Sequence, residues 1–220
     1  MEKVYENHFN PWDIFLLPVR VHKNISASIK GLFPAFLFVG IFNMVFYDNI
    51  INKGYFKGDS VNLGSQVLMF LLMSLVIGAI DIICTVVPIA EFAVIIGRRS
   101  KKFVHRKIPV ILMKSYALSH LLFVIPTAIF IYSGIDWLDV GPSSPNNIRV
   151  IFSIIVTLMM FLPYVQYGIF YRTLSVRTRL QTFGKLILVF ASYYWMQITG
   201  EVIVYLIDVF HRFYQGLFGL

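Results

Sequence analysis

Apolar residues occur along the 220-residue chain in five long runs, and most of the charged residues lie between them. A helix that crosses the roughly 30 Å hydrocarbon layer of a membrane needs about 20 mostly apolar residues. The pattern therefore predicts five transmembrane helices, over residues 31–47, 66–97, 109–134, 148–171 and 185–210. The fold class that follows is all-α, a polytopic bundle of five membrane-spanning helices.

Three of the predicted spans contain an internal proline, at Pro88, Pro126 and Pro163. Proline inside a span is tolerated when neighbouring helices satisfy the carbonyl that it leaves without a donor. The second span is longer than a straight crossing requires. We therefore expect it to kink near Pro88, to tilt strongly, or to end in a helical tail at the membrane interface.

Residues 10–30 precede the first span and are too short and too charged to cross a membrane. We expect Trp12 and the apolar residues through Leu17 to lie among lipid headgroups, with Arg20 and Lys23 directed toward anionic lipid. Residues 1–15 carry acidic residues and lack a basic region followed by an apolar one, so we do not expect a cleavable signal peptide. The predicted organisation is an N-terminal segment, 1–30, followed by one transmembrane domain, 31–220.

The composition excludes an ordinary soluble domain. Hydrophobic residues make up 58% of the chain and charged residues 14%, whereas soluble domains have about 45–50% and about 25%. Mean hydropathy is +0.74. A globule of this size cannot bury so much apolar surface, so lipid must surround most of it. Cys84 is the single cysteine, which excludes an intramolecular disulfide and a zinc site built from cysteines.

The positions of the basic residues predict the orientation. Of 19 Lys and Arg residues, 14 fall in three segments, 3–30, 98–107 and 172–185, which alternation of the spans places on one side. Because cytoplasmic loops carry an excess of Lys and Arg, we expect a cytoplasmic N-terminus and a C-terminus outside or in a lumen. The cations lie between apolar runs rather than on a soluble face, so the net charge of +8 does not indicate a nucleic-acid partner.

One face of the second span is small and polar. Ser74, Gly78, Asp81, Thr85 and Pro88 recur at steps of three and four residues, which places them together on a helix. This face has two interpretations. It is either the lining of a proton, ion or substrate path, or a close-packed helix interface with one polar residue bonded across it.

His120 in the third span lies at nearly the same depth as Asp81, and Tyr116 is one turn away from it. An Asp81–His120 hydrogen bond would act either as part of a proton relay or metal site, or as a structural pair that fixes helix register. Glu201 lies in the outer half of the fifth span, where no cation shares its depth. The complete candidate site comprises Asp81, His120, Glu201, Tyr116, Thr85 and Gln197.

Glu91 and Lys114 are expected near the cytoplasmic interface, where we predict a structural salt bridge between them. Asp81, Glu91, His120 and Glu201 are the residues from which an intramembrane metal site would be assembled. They come from three helices without the spacing of a known metal motif. The chain also lacks a nucleophile elbow, a phosphate loop and a dinucleotide fingerprint. We therefore expect neither an enzyme nor a bound cofactor.

Three stretches resemble the Yip1 family of small polytopic membrane proteins. NPWDIFLLPVRVHKNI resembles the segment that precedes the first span in bacterial members. IIGRRSKKFVHRKIPVILMKSYALSHLLFVIP and YGIFYRTLSVRTRLQTFGKLILVF resemble their second–third and fourth–fifth connections. The Asp-Leu-Tyr-Gly-Pro motif of eukaryotic members is absent, which argues against Rab-type GTPase binding. The resemblance implies a five-span scaffold or organiser in the bacterial cytoplasmic membrane.

Two functions are therefore considered. In the first, a non-catalytic scaffold contacts anionic lipid or a protein partner through the RRSKKFVHRK connection, although this connection could equally serve only to set topology. Its cations are Arg98, Arg99, Lys101, Lys102, Arg106 and Lys107. In the second, Asp81, His120 and Glu201 serve a small ion, proton or solute carrier or channel. Five spans are few for a carrier, so that function would require a homodimer.

Overall fold

The computed structural model describes residues 11–46, 55–56, 60–102, 104 and 106–218. In this part of the chain all regular structure is helical, and the β pairing consists of one isolated bridge between Val104 and Thr178. Tyr47, at the end of the first predicted span, and three of the predicted loop cations, Lys3, Lys53 and Lys57, lie outside the described residues.

Two short helices, α1 (Trp12–Leu16) and α2 (Val19–Asn24), precede the bundle, and a 3-10 turn at Ile29–Gly31 leads into it. The five long helices follow in chain order. They are α3 (Leu32–Phe46), α4 (Ser60–Arg99), α5 (Ile108–Tyr132), α6 (Asn146–Arg177) and α7 (Thr182–Phe218), with a further 3-10 turn at Trp137–Asp139 between α5 and α6.

Five helices among the described residues are long and apolar enough to cross a membrane, which confirms the five predicted spans. The structure extends several of them beyond the apolar runs. α4 has 40 residues and is therefore about 60 Å long at 1.5 Å per residue, twice the thickness of a hydrocarbon layer. Pro88 lies inside α4, Pro126 inside α5 and Pro163 inside α6, and helical structure continues through all three.

α4 is the central element of the bundle, since it packs against α3, α5 and α7, while α5 also packs against α6. The closest approach is between α3 and α4. A Cβ atom at Gly40 would lie 1.6 Å from the backbone oxygen of Ser74, and one at Gly78 would lie 1.9 Å from that of Phe36. Neither glycine can carry a side chain unless the two helices separate, a use of small residues typical of helix pairs in membranes.

The three cation-rich segments meet at one end of the bundle, which we call the basic end. It comprises residues 11–31, the described residues of the α4–α5 connection (98–102, 104, 106 and 107) and residues 172–185, which include the α6–α7 connection. The Val104–Thr178 bridge joins the two connections. Arg172 and Arg177, in the last turns of α6, bond to the N-terminal segment. The described cations of these three segments therefore lie at one end of the bundle.

We predict that Gly78→Ala lowers the melting temperature of the purified protein by several degrees. The added methyl group overlaps the backbone of α3, and overpacking of this kind costs about 1–3 kcal/mol. Gly64→Ala is the matched control, because Gly64 lies in the same helix with open space around it. Thermal unfolding in detergent measures both variants. Equal melting temperatures for Gly78→Ala and the unmodified protein would contradict the close helix contact.

Candidate functional site

Asp81 lies near the middle of α4 and is buried, with 5% of its surface exposed. Its carboxylate accepts hydrogen bonds from two other helices. Nδ2 of Asn43 in α3 lies 2.7 Å from Oδ2, and the hydroxyl of Tyr116 in α5 lies 3.1 Å from Oδ1. Since a buried charge is costly unless it is hydrogen-bonded, these donors are what makes a carboxylate at this depth tolerable.

A pair of threonine hydroxyls links this carboxylate to α7. Oγ1 of Thr85 is 3.2 Å from Oδ1 of Asp81 and 3.1 Å from Oγ1 of Thr199. The single hydroxyl proton of Thr85 serves one of these acceptors at a time. Thr199 in turn donates to the carbonyl oxygen of Trp195 at 3.0 Å. Side chains from α3, α4, α5 and α7 therefore meet in one polar cluster.

His120 is buried one turn beyond Tyr116 on α5. Its Nδ1 donates to the backbone oxygen of Tyr116 at 2.9 Å, which leaves Nε2 without a proton in the neutral ring. The predicted Asp81–His120 hydrogen bond is not among the contacts of the described residues. Tyr116 connects the two instead, because its hydroxyl bonds Asp81 and its carbonyl oxygen bonds His120.

A partly open cavity of about 310 Å³ lies beside this cluster. Its polar lining comes from Asn43, Asp81, Tyr116, His120 and Thr127, and apolar residues of α3, α5, α6 and α7 complete it. The volume is sufficient for several water molecules or a small solute. The arrangement provides an anionic group, two hydroxyls and an imidazole around one space, a set suited to binding a small cation or to holding ordered water.

Glu201 and Gln197 do not belong to this site. Both are exposed on α7, and Gln197 bonds Tyr167 of α6. Gly200, one position before Glu201, lines the cavity. Because successive residues of a helix point about 100° apart, the side chain of Glu201 points away from the space that Gly200 borders. The predicted depth of a residue along its span was therefore not enough to group Glu201 with Asp81 and His120.

The predicted Glu91–Lys114 salt bridge is not among the contacts of the described residues either. Glu91 is exposed on α4, whereas Nζ of Lys114 donates to the backbone oxygen of Ser26 at 3.0 Å. The four residues of the hypothetical metal site are likewise separated, since Glu91 and Glu201 are exposed while Asp81 and His120 are buried. Among the described residues, no group of three or more His, Cys, Asp or Glu side chains is placed to hold a metal ion.

Two residues of the polar cluster were not predicted, Asn43 and Thr199. Asn43 is the single strongly polar residue in the apolar run 31–47, and that isolation is the signal which identifies it as a partner for an intramembrane acid. Thr199 offers no such signal, because threonine is common in spans and bonds its own helix, as Thr199 also does.

His22 is a third residue that sequence patterns did not reveal. It lies in the N-terminal segment but is 1% exposed. Its Nε2 donates to the backbone oxygen of Leu16 at 2.8 Å. Its Nδ1 is 2.8 Å from the hydroxyl of Thr173 in α6, which is itself 2.6 Å from that of Ser115 in α5. In the neutral ring Nδ1 is an acceptor, and the single hydroxyl proton of Thr173 serves either Nδ1 or the backbone oxygen of Ile169, 3.0 Å away, at one time. Ser115 can donate to the oxygen of Thr173.

Cationic side chains of the bundle secure the same segment. Arg172 forms an ion pair with Asp13 and donates to the backbone oxygen of Leu17 at 2.8 Å. Arg177 donates to that of His22 at 2.8 Å. Each guanidinium therefore satisfies carbonyls at the ends of the short helices, which have too few residues to be stable alone. We call these contacts and those of His22 the N-terminal latch.

Outside the latch, the N-terminal segment presents apolar residues. Trp12, Ile14 and Phe15 are each more than half exposed, while Leu16 packs against Gly168 of α6. The six cations of the α4–α5 connection, Arg98, Arg99, Lys101, Lys102, Arg106 and Lys107, are all exposed. The basic end therefore carries exposed aromatic and aliphatic groups beside exposed positive charge, a combination typical of surfaces at the membrane interface.

At the opposite end of the bundle, Tyr55 is buried between α4 and α7. Its hydroxyl lies 2.5 Å from Nδ1 of His211, and its ring stacks on Tyr214 with centroids 4.1 Å apart. Phe70 of α4 packs on the same ring. This second cluster connects the segment after α3 to the end of α7, and it is separate from the cavity beside Asp81.

In comparisons with known proteins, no family model, no curated protein and no solved structure matches this chain. The resemblance to the Yip1 family therefore stays a prediction.

We predict that the N-terminal latch loosens in mild acid. Burial, reinforced by the charge of Arg172, lowers the pKa of His22 below its ordinary value of 6.5, against the opposing effect of the Leu16 carbonyl. The undocked segment therefore takes up a proton more readily than the docked one. The contribution of His22 to docking is fully present above pH 6.5, and it is lost as the pH falls from there toward the lowered pKa.

Hydrogen exchange of the amides in residues 19–25, corrected for the intrinsic pH dependence of exchange, measures this effect. Because one group titrates, protection should fall by at most about tenfold per pH unit. His22→Gln, which cannot titrate, should show no such dependence. Peptides from the interior of α5 provide the internal control. An equal pH dependence in His22→Gln would assign the effect to another group.

Proposed function

We propose that this chain is a non-catalytic, multi-pass membrane protein that organises anionic lipid or an acidic protein partner at its basic end. The observation that carries the proposal is the convergence of the three cation-rich segments on one end of the bundle. A cation held near an anionic leaflet contributes up to about 1 kcal/mol. Several cations on one surface therefore provide useful affinity.

The N-terminal latch supports the same proposal. It fixes α1 and α2 against α6, so that Trp12, Ile14 and Phe15 are held at the edge of the bundle rather than on a free tail. Apolar groups placed in this way add affinity for a bilayer without a large ordering cost on binding. A rigid surface of mixed apolar and basic character suits a role as scaffold.

Orientation and location follow as part of the proposal. An excess of Lys and Arg marks the cytoplasmic side of membrane proteins, so the basic end would face the cytoplasm. The N-terminus would then be cytoplasmic and the C-terminus, after an odd number of crossings, on the far side. We further propose the bacterial cytoplasmic membrane, in line with the Yip1-like stretches, and a role as scaffold or organiser as that resemblance implies.

The simplest alternative is that the basic residues only determine insertion and bind nothing selectively. Two double variants separate the possibilities. Each removes two exposed positive charges, one variant at the basic end and the other at the opposite end of the molecule. Lys101→Gln with Lys102→Gln alters the basic end, and Arg149→Gln with Arg212→Gln alters the other. Both proteins are purified from membranes, which confirms insertion, and placed in mixed phosphatidylcholine and phosphatidylglycerol nanodiscs.

Native mass spectrometry of the released protein then measures retained phosphatidylglycerol relative to phosphatidylcholine. We expect the first pair to lower this ratio by up to about 30-fold, on the basis of ~1 kcal/mol per cation, and the second pair to leave it nearly unchanged. Equal ratios of phosphatidylglycerol to phosphatidylcholine in the two variants would mean that the positive charge of the basic end serves membrane insertion alone.

A second function has an observation of its own, the cavity beside Asp81 and His120. We propose, as the alternative, that it conducts protons or small cations, with the buried carboxylate as the binding group. Glu201 has no part in this path, since it lies on the exposed face of α7. A single bundle of five spans is small for a carrier, so this function includes a homodimer.

Proton flux tests this alternative in liposomes that contain the protein and the pH-sensitive dye pyranine. A potassium diffusion potential supplies the driving force. We expect Asp81→Asn to abolish the protein-dependent flux and Glu201→Gln to retain it, because both remove one carboxylate but only Asp81 borders the cavity. Absence of flux in the unmodified protein, or equal loss in both variants, would exclude proton conduction through this cavity.

A further inference from the structure

A cleft of about 380 Å³ lies at the basic end, between the last turns of α4 and the first turns of α7. It is separate from the cavity beside Asp81 and from the N-terminal latch. Its two walls approach closely, since a Cβ atom at Gly184 of α7 would lie 2.9 Å from Cγ2 of Ile96 of α4. The packed ends of α4 and α7 therefore form most of the cleft, and Ser100 and Gln181 of the adjoining connections complete it.

The lining of the cleft changes from polar to apolar along its depth. Arg99, Ser100 and Gln181 provide the polar part, at the point where α4 ends and α7 begins. Phe92, Ile95 and Ile187 lie toward the middle of the bundle and provide the apolar part. Ile95 is 47% and Phe183 73% exposed, so this part opens to the side of the helices. Since these helices are membrane spans by length and composition, that side meets lipid.

The donors at the polar part favour an anion. Arg99 presents a planar guanidinium, which binds phosphate through two parallel hydrogen bonds. No contact of the Arg99 side chain with another described residue occupies this group, whereas the hydroxyl of Ser100 already donates to the backbone oxygen of Ile96 at 2.7 Å. The amide of Gln181 adds a second donor. An occupant that satisfies both parts must join a phosphate to an apolar chain.

Two other grooves among the described residues lack this combination. The groove between α6 and α7 is lined by five tyrosines and apolar residues without a cation. The groove beneath the N-terminal segment includes Lys114, but its ammonium already donates to Ser26. Of these three grooves, the cleft at Arg99 is the one that joins an uncommitted guanidinium to an apolar wall that opens toward lipid.

We infer that this cleft binds one anionic phospholipid, with the headgroup phosphate on Arg99 and Gln181 and an acyl chain along Ile95 and Ile187. The inference rests on the proposed function, since it requires the basic end to face a leaflet that contains anionic lipid. It adds a discrete site to what would otherwise be a diffuse attraction. One of the six cations of the α4–α5 connection then has a role that the other five do not share.

Arg98 provides a matched control, because it is adjacent, exposed and equally charged but does not line the cleft. The probe is dioleoyl phosphatidylglycerol, titrated into protein that has been purified in detergent, with binding followed by native mass spectrometry. We expect Arg99→Gln to weaken the first bound lipid by about tenfold or more, as the loss of a bidentate charge-assisted contact implies. Arg98→Gln should weaken it by less than about twofold.

A second pair of variants tests the apolar part without a change of charge. Ile187→Trp fills the cleft and should displace the lipid, whereas Val202→Trp adds the same bulk to an exposed part of α7 outside it. Melting temperatures confirm that all four variants are folded. Glycerol 3-phosphate, added as a competitor, tests whether the phosphate alone is recognised. Its failure to displace the lipid supports an amphipathic ligand, and full displacement overturns the inference.

The outcomes separate this inference from the proposed function. Equal weakening by Arg99→Gln and Arg98→Gln would indicate diffuse attraction, which overturns the discrete site but leaves the basic end as a lipid-binding surface. No weakening in either variant, together with an unchanged ratio in the Lys101 and Lys102 double variant, would overturn both. Selective weakening by Arg99→Gln and Ile187→Trp would support both.

Discussion

The carboxylate of Asp81 imposes the strongest physical constraint on this bundle. A charge at membrane depth has no bulk water around it, so donors from the protein must take the place of hydration. Asn43 and Tyr116 do so from α3 and α5, and Thr85 connects to Thr199 of α7. Each of these helices must keep its register against α4, because a shift of one residue would remove a donor and leave a buried polar group unsatisfied. One polar cluster therefore links four helices in register.

Backbone proximity makes this contact possible. Asn43 has a short side chain. It reaches Asp81 because Gly40 and Gly78 have no Cβ atoms, so the backbones of α3 and α4 pack directly against each other. Part of the small polar face of α4 provides close packing, as the second interpretation predicts, since Ser74 and Gly78 lie against α3. About one turn further along, Asp81 borders the cavity and Thr85 bonds Thr199. The path of the first interpretation stays a prediction.

Sequence patterns predicted the spans well because span length depends on bilayer thickness, a property that requires no knowledge of packing. They predicted side-chain partners poorly, and Glu201 shows why. In a soluble helix, polarity marks the exposed face. In α7 both faces are apolar, so no periodicity indicates which of them meets lipid. Depth along the span is readable from the sequence, but rotation about the helix axis depends on packing against other helices. The fold turns Gly200 and Ile203, rather than Glu201, toward the cavity. His22 escaped notice for a related reason, because its burial results from contacts with Thr173, more than a hundred residues away.

The basic end combines two uses of positive charge that the sequence cannot distinguish. Arg172 and Arg177 act within the protein, since their donors are used by carbonyls and by Asp13 of the N-terminal segment. Arg99 lines a cleft in which no protein acceptor occupies its guanidinium among the described residues. Arg172 and Arg177, the first group, hold apolar side chains of the N-terminal segment at the edge of the bundle. Arg99 instead leaves a donor for an external anion. Because the latch includes a histidine whose neutral form is favoured by burial, we expect acid to weaken the contacts of the first group. Arg99 takes no part in the latch, so the cleft depends on a separate set of contacts.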